Sequence, residues 1–335
     1  MTILPVGKID MDILQRLIAS YTDQNSRVVV GSGIGEDAAV IDMGDRYLIA
    51  KTDPITHVTD EIGHYVVNIN ANDIAAMGGE PHWFLATVLL SEKSSERDLE
   101  EIFRQISGSC EQLGIAYCGG HTEVSTGVRN TIVIGQMLGE VAKDNLKPTS
   151  GAREGDHLIM TKVAAIEATA IIARENAEQL KAHFPEEIIT RAREYLHDPG
   201  ISVLEEAKIV SSCADVHALH DPTEGGIATG IFEMAHASGL GVVVYGDRIP
   251  ISDETRHLCD YYKVNPLGTF ASGSLLICVA PSASKRLIAD LYTHGVRATR
   301  IGEITPRDQG MQLVTGDVVV PLPVFHQDEL SKIFG

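Results

Sequence analysis

The chain has 335 residues, more than one hydrophobic core ordinarily serves, so two domains of ~100–200 residues each are expected. With 44% apolar residues and no apolar run near the ~20 residues of a helical membrane span, the sequence argues against a membrane protein. A formal charge of −19 disfavours nucleic acids and anionic lipid as partners, because binding them by bulk attraction needs a basic surface.

In chain order, the opening "MTILPVGKID" has neither the basic flank nor the apolar core of a secretion signal, which predicts a cytoplasmic protein. Five scattered cysteines without a C-x-x-C pair predict reduced thiols, not a disulfide framework or a zinc cluster. From residue 28 to 140, short β-rich runs alternate with longer helical patterns. "RYLIAKT", "WFLATVLL" and "TIVIGQMLGEV" read as strands. "DEIGHYVVNINANDIAAMGG" reads as a helix capped by Thr59 or Asp60 and stopped at Gly78-Gly79, and "ERDLEEIFRQISGSCEQLG" as a second helix. "LKPTSGAREGD" (146–156) gathers Pro, Ser, Gly and charge, and divides the chain into domains at 1–148 and 149–335.

Beyond it, "HLIMTKV" predicts a strand, 164–195 a long helical region, and "ISVLEEAKIVSS" a helix. "DPTEGGIATGIFEMAHASG" predicts a loop entering a helix, followed by the strands "GVVVYGD" and "GSLLICVA". A helix over "SASKRLIADLYTHG" leads to a last strand pair, "ATRIGEITP" with "DVVVPLP". No short fixed period recurs, so two α/β or α+β halves are expected instead of a solenoid.

Three glycine-bearing stretches are candidates for chemistry. In "GSGIGEDAAVID", from Gly31, the spacing is G-x-G-x-G, and neither a dinucleotide fingerprint nor a G-K-[ST] phosphate loop fits. The loop still offers backbone N–H groups for an anion, or simply a tight turn. Asp37 and Asp53 stand at the two ends of a predicted hairpin, and Asp73 on an otherwise apolar helix beside Asn68, Asn70 and Asn72. Asparagine and aspartate compete with a helix for its own backbone, so a compensating role is expected. Acids converging from separate elements suit Mg²⁺, which takes carboxylates together with phosphate oxygens. "CGGHTEV" (118–124) reads as a Gly-Gly turn, with His121 a general base, a ligand or a turn residue. In "ALHDPTEGGIATG", Asp221 precedes a Pro turn and Gly225-Gly226 opens a helix whose free N–H groups suit an anion; His217, His220 and Asp221 also admit a transition-metal cluster.

Taken in order, "GIGEDAAV", "KTDP", "NANDIAAMGGEP", "GGHTEV", "AREGDHLIMTK", "DPTEGGIATGIFEMA", "NPL" and "RIGEIT" resemble the PurM-like, AIR synthase-related superfamily over residues 30–305. The match is nearest to the hydrogenase maturation factor HypE, with thiamine-monophosphate kinase and selenophosphate synthetase similar at the same places. The resemblance implies an N-terminal α/β domain that pairs its sheet in a homodimer, a C-terminal α+β domain beside it, and ATP held through Mg²⁺. The γ-phosphoryl group would pass to an oxygen of a small-molecule or protein acceptor. Residue by residue it implies Asp37, Asp53, Asp73 and Asp221 as Mg²⁺ ligands and Glu36 and Thr52 as auxiliary contacts. It also implies Gly33 and Gly35 as phosphate-loop residues, Gly119, Gly120 and Thr122 on the nucleotide side, Gly225 and Gly226 at the second-domain loop, and Lys8 reaching the phosphates. His121 and Asp221 are the candidate catalytic residues. Two positions depart from the pattern: His121 stands where many members carry an acid, and the chain ends "DELSKIFG", without the tail cysteine of HypE. A small-molecule kinase and a non-catalytic ATP-binding scaffold are the competing expectations.

Overall fold

A computed structural model of the chain describes residue 4 and residues 7–22, 25–56, 58 and 60–334. Helix α1 (Met11–Tyr21) leads into β1 (Val28–Val30), β2 (Ala39–Asp42), β3 (Tyr47–Ile55), α2 (Ile62–Ala76), β4 (Glu80–Leu90), α3 (Glu96–Leu113), β5 (Ala116–Val124) and β6 (Ile132–Val141). The six strands form one sheet in the order β1-β2-β3-β6-β4-β5, antiparallel except for the parallel β4–β5 pair. That pair is joined by the crossover helix α3, as a parallel connection requires.

The two helices of this half are built differently. In α3 only Ile102, Ile106, Ser109 and Cys110 are buried, and a capping box formed by Ser95 and Asp98 starts it, as an outer helix demands. In α2 every residue but His64 is buried, because the sheet lies on one side and the second half of the chain on the other. Apolar residues on all its faces are what such a position selects. Its start differs from the sequence expectation. Thr59 lies outside the described residues, the Asp60 carboxylate pairs with Arg174, and the N-cap is Glu61 in left-handed geometry with no side-chain cap. Burial against both neighbours holds this end without a cap.

The second half comprises β7 (His157–Thr161), α4 (Ile166–Glu175), α5 (Ala177–Leu180), α6 (Glu186–Glu194), α7 (Leu204–Ser211), β8 (Val216–His220), α8 (Gly226–Ala237) and β9 (Gly241–Tyr245). Then follow α9 (Asp253–Tyr262), β10 (Leu276–Val279), α10 (Pro281–Thr293), β11 (Ala298–Thr305), β12 (Met311–Thr315) and β13 (Val318–Pro321). Its seven-stranded sheet runs β13-β12-β9-β11-β7-β10-β8. One core packs α8 against Met160, Leu276 and Val244, and the other packs α7 and α10 against Ile159, Leu219 and Ile277. The expected helix over 164–195 is three helices, because the chain leaves helical geometry at Asn176 and Pro185 caps α6. The expected final strand pair is also corrected: β13 pairs with β12, while β11 lies between β9 and β7. No described helix is long and apolar enough to cross a membrane.

Candidate functional site

Strand alternation places the first residues of the site. Side chains two apart on β3 share a face, so Lys51 and Asp53 point inward while Thr52 points out and donates its hydroxyl to the Gly135 carbonyl at 2.8 Å. Helix α2 lies against that inner face and brings Asp73, which is 3% exposed, to the Lys51 ammonium at 2.8 Å. Asp53 Oδ2 lies 3.5 Å from the same ammonium.

The asparagines of α2 account for their own local cost. Asn70 accepts the Asp53 N–H at 2.9 Å and donates to the Val66 carbonyl at 2.8 Å, tying strand to helix beside the acids. Asn72 donates to the Ile201 carbonyl at 2.8 Å and accepts the Val203 N–H at 2.9 Å, tying α2 to the second half of the chain. Asn68 bonds back to the His64 carbonyl at 2.9 Å.

The other side of the site comes from the loop after β1 and from the end of β8. Gly35 has φ +83, and a Cβ there would lie 2.8 Å from the Glu233 carbonyl of α8, so only glycine lets the loop seat on that helix. Asp37 is thereby held between His220 Nδ1 at 2.6 Å and Thr149 Oγ1 at 3.1 Å. His220 Nε2 faces Glu233 at 3.4 Å, and Lys8 Nζ reaches Glu233 at 3.2 Å. Asp221 follows directly, 2% exposed. Asp37, His220 and Asp221 each present a ligand atom within 4.8 Å of the others.

These groups line a cavity of about 440 Å³ at the junction of the two halves, floored by Asp37, Asp53, Asp73 and Asp221 around Lys51. Burial pushes the Asp73 carboxyl well above the ordinary range; Lys51 opposes the shift, and Asp53 and Asp37 add to it. Asp221 is raised in the same way, by burial first and then by Asp73 and Asp37. Lys51 stays charged against burial because Asp73 and Asp53 flank it, and His220 because Asp37 does. Glu233 falls to about 2: burial would raise it, but His220 and Lys8 prevail. Both oxygens of Asp221, Oδ2 of Asp73 and Oε2 of Glu36 are buried without a hydrogen-bond partner. Buried polar atoms are normally paired, so these oxygens, with Oε2 of Glu167 a fifth on the same cavity, make it a candidate place for a cation.

Of the residues singled out in the sequence, Lys8, Gly33, Gly35, Glu36, Asp37, Asp53, Asp73, His220 and Asp221 line this cavity. The others stand elsewhere. Thr52 is on the outer face of the sheet. "CGGHTEV" is not a turn but the body of β5, an edge strand exposed along nearly its whole length, so Gly119, Gly120, His121 and Thr122 do not reach the cavity of their own chain. The turn expected there is made earlier, by Gly114 at the end of α3. Gly225 gives its N–H to Asp328 Oδ2 at 2.9 Å and Gly226 its N–H to the Thr223 carbonyl at 3.1 Å, so the start of α8 is not free for an anion. His217 turns away to Asp156, 2.9 Å distant.

The sequence reading missed Lys51, Glu233, Thr149 and Glu167. A signal existed for three of them. Lys51 shares the face of Asp53 by simple alternation, while Glu233 and Glu167 are lone acids inside otherwise apolar helical stretches, "GIFEMA" and "AAIEATAIIA". Thr149 carried no local mark.

With this geometry in place, two family models match: "AIR synthase related protein, N-terminal domain" over residues 35–141 and "AIR synthase related protein, C-terminal domain" over 153–313. Among curated relatives, a protein assigned to hydrogenase expression and formation in Methanocaldococcus jannaschii is 27% identical, covering 93% of this chain and 94% of its own. The carbamoyl dehydratase HypE of Cupriavidus necator is 28% identical over 89% of this chain and 83% of its own. Thiamine-monophosphate kinase of Pyrococcus horikoshii is 26% identical over 67% of this chain and 70% of its own. Similar solved structures are HypE from a HypE–HypF complex (TM-score 0.77, 17% identity, covering 93% of this chain and 99% of that one) and HypE in complex with ATP (TM-score 0.73, 21% identity, covering 95% and 96%). At these identities the structures establish the fold, and the two matched domains establish the lineage: the chain belongs to the PurM-like, AIR synthase-related superfamily.

Proposed function

We propose that the cavity binds ATP through Mg²⁺ and passes the terminal phosphoryl group to an oxygen of an acceptor bound beside it. The observation that carries this is the set of orphaned oxygens on Asp73 and Asp221, facing Asp37 and Asp53 around a single lysine. Carboxylates from four elements, with few nitrogen ligands among them, suit a hard dication that keeps phosphate oxygens in its shell. Asp37, Asp73 and Asp221, with Asp53 beside them, would hold it. Mg²⁺ would supply neutralisation of the phosphate charge at this acidic floor.

The remaining chemistry belongs to the chain. Lys51 fixes Asp53 and Asp73 relative to each other, and His220 and Thr149 fix Asp37, so the acids are positioned before any ligand arrives. The backbone of Gly33–Glu36 approaches the same space, and Lys8 stands at its entrance. Ile9, Met11 and Leu14 also line the cavity and would help to keep water from the transferred group. Phosphoryl transfer needs mainly positioning and charge stabilisation, which this arrangement offers without a protein nucleophile. The hydrogenase-formation relative and the HypE relative extend over more of the chain than the kinase does, which favours a maturation-type acceptor over a vitamin precursor.

The same proposal includes a homodimer. The inner face of the N-terminal sheet is covered by α2, yet its outer face presents Leu48, Leu85, Leu89, Ile132, Ile134 and Leu138 only half buried, and β5 leaves one edge unpaired with Val124 62% exposed. An apolar face beside an open edge calls for a second sheet. Pairing with a second copy would also give Gly119, Gly120, His121 and Thr122 a nucleotide site to serve, that of the partner.

The test is equilibrium binding of a non-hydrolysable ATP analogue with and without Mg²⁺, followed by product analysis with ATP. Mg²⁺-dependent binding is expected, and equal affinity in excess chelator would overturn the proposal. Release of inorganic phosphate without a stable phosphomonoester separates a dehydratase-type reaction from a kinase.

A further inference from the structure

Glu167 has no part in the metal floor, yet it lines the same cavity from the first turn of α4. It is 4% exposed, and its Oε2 has no hydrogen-bond partner. Ser272 approaches the carboxyl with hydroxyl and backbone N–H, and the serine hydroxyl is itself otherwise unpartnered. Among the charges Glu167 senses are Asp328 and Asp53. The same cavity is lined by the apolar side chains of Ile55, Val58, Ile69, Ile171 and Phe270. Past Ile171, Glu224 and Phe270 it adjoins a second, mainly apolar cavity of about 530 Å³. Among the described residues, every lysine lining either cavity is committed elsewhere: Lys8 to Glu233, Lys51 to Asp73, Lys332 to Glu329 at 2.5 Å.

We propose that the part of the cavity around Glu167 is the acceptor subsite and that Glu167 pairs there with a positively charged nitrogen head, an ammonium or amidinium, carried on an apolar body. The proposal rests on the phosphoryl-transfer reading only for the word acceptor; the cation subsite stands by itself. A buried carboxylate oxygen with no donor is costly unless a ligand supplies one. Among the described residues no lysine or arginine is left to pair with Glu167 here, so an anionic head would meet Glu167, Glu224 and Asp53 unpaired, while a cationic head would be paired by Glu167 and faced by the Phe270 ring. Burial, offset by Ser272, raises the carboxyl to about 7, the state of an acid kept without its counter-ion.

Three isosteric probes test it: benzylamine, benzamide and benzoate, titrated by isothermal calorimetry into the full chain with Mg²⁺ and a non-hydrolysable ATP analogue present. Benzylamine is expected to bind saturably and benzoate not at all, with benzamide in between. Glu167→Gln, which keeps the volume, and Glu167→Met are each expected to weaken benzylamine about tenfold or more, the scale of a charge-assisted hydrogen bond, and to leave Mg²⁺-dependent analogue binding unchanged. Thermal unfolding of both variants checks that they are folded. Benzoate binding as tight as benzylamine, benzylamine affinity unchanged in both variants, or no saturable benzylamine binding would each overturn the subsite. Failure of the ATP analogue to bind, with Glu167-dependent benzylamine binding intact, would remove the phosphoryl-transfer reading and leave the cation subsite standing.

Discussion

The stretches "GSGIGED" and "CGGHTE" look alike in the sequence, each a glycine-rich run leading into polar and acidic residues, yet the fold uses them for opposite purposes. Around Gly35 the missing Cβ admits a carbonyl of α8 from the other half of the chain, and the loop becomes one wall of the cavity. At Gly120 the missing Cβ admits the Ala86 carbonyl of the neighbouring strand, and the stretch becomes an exposed sheet edge. A glycine therefore records that something comes close, and the tertiary structure decides whether it is a ligand wall or a strand.

Gly120→Ala should give the largest effect and break the fold more than the site. Its φ is +147 and the new Cβ would lie 1.8 Å from the Ala86 carbonyl oxygen, so a stability loss on the order of 4 kcal/mol is expected in urea unfolding. An unchanged midpoint would remove the close-packing account of β5.

Asp221→Asn should do the reverse. Its carboxyl is raised by burial and by Asp73 and Asp37, so neutralising it relieves repulsion, and thermal stability at neutral pH should hold or rise. Mg²⁺-dependent nucleotide affinity should fall by about a hundredfold, roughly 3 kcal/mol. Affinity that survives the change would move the metal site elsewhere.

Glu167→Gln sharpens the contrast through pH. The folded carboxyl, at about 7, lies above its ordinary 4.5. Its contribution to stability is therefore fully present below 4.5 and lost as pH rises through 7. Replacement by Gln should flatten that decline by an amount on the order of 3 kcal/mol, read from denaturant unfolding at pH 4.5 and 7.5. Parallel profiles for the two proteins would show that the carboxyl is not buried in solution.

His121→Ala is the smallest change within one chain, since His121 is exposed and its contact is Glu123 at 3.3 Å. Its effect on unfolding should stay within about 0.5 kcal/mol. If β5 serves a partner's site, the same variant should weaken nucleotide binding only at protein concentrations where sedimentation shows a dimer.

Much of this was legible because the signals are local. The acids on β3 and α2 follow from strand alternation and from polar residues set in an apolar helix, and residues 35–141 and 153–313 carry the two domain patterns in order. The unread parts depend on distant chain. Asn72 gains its meaning from Ile201 and Val203, Thr149 from Asp37, and the start of α8 is closed by Asp328 over a hundred residues away. Strand β12 is defined by its pairing with β9 and β13.

The sequence by itself determined which residues carry charge into apolar elements, where glycine is needed, and that two α/β patterns succeed each other. Hydrophobic alternation and turn chemistry are properties of neighbouring residues, so they survive in the sequence. Only the tertiary structure decided that Asp37, Asp53, Asp73 and Asp221 share one desolvated cavity, that Lys51 stands among them, and that Gly119 to Thr122 do not. Desolvation and convergence are set by what packs from far along the chain, and they leave acid oxygens buried without a partner.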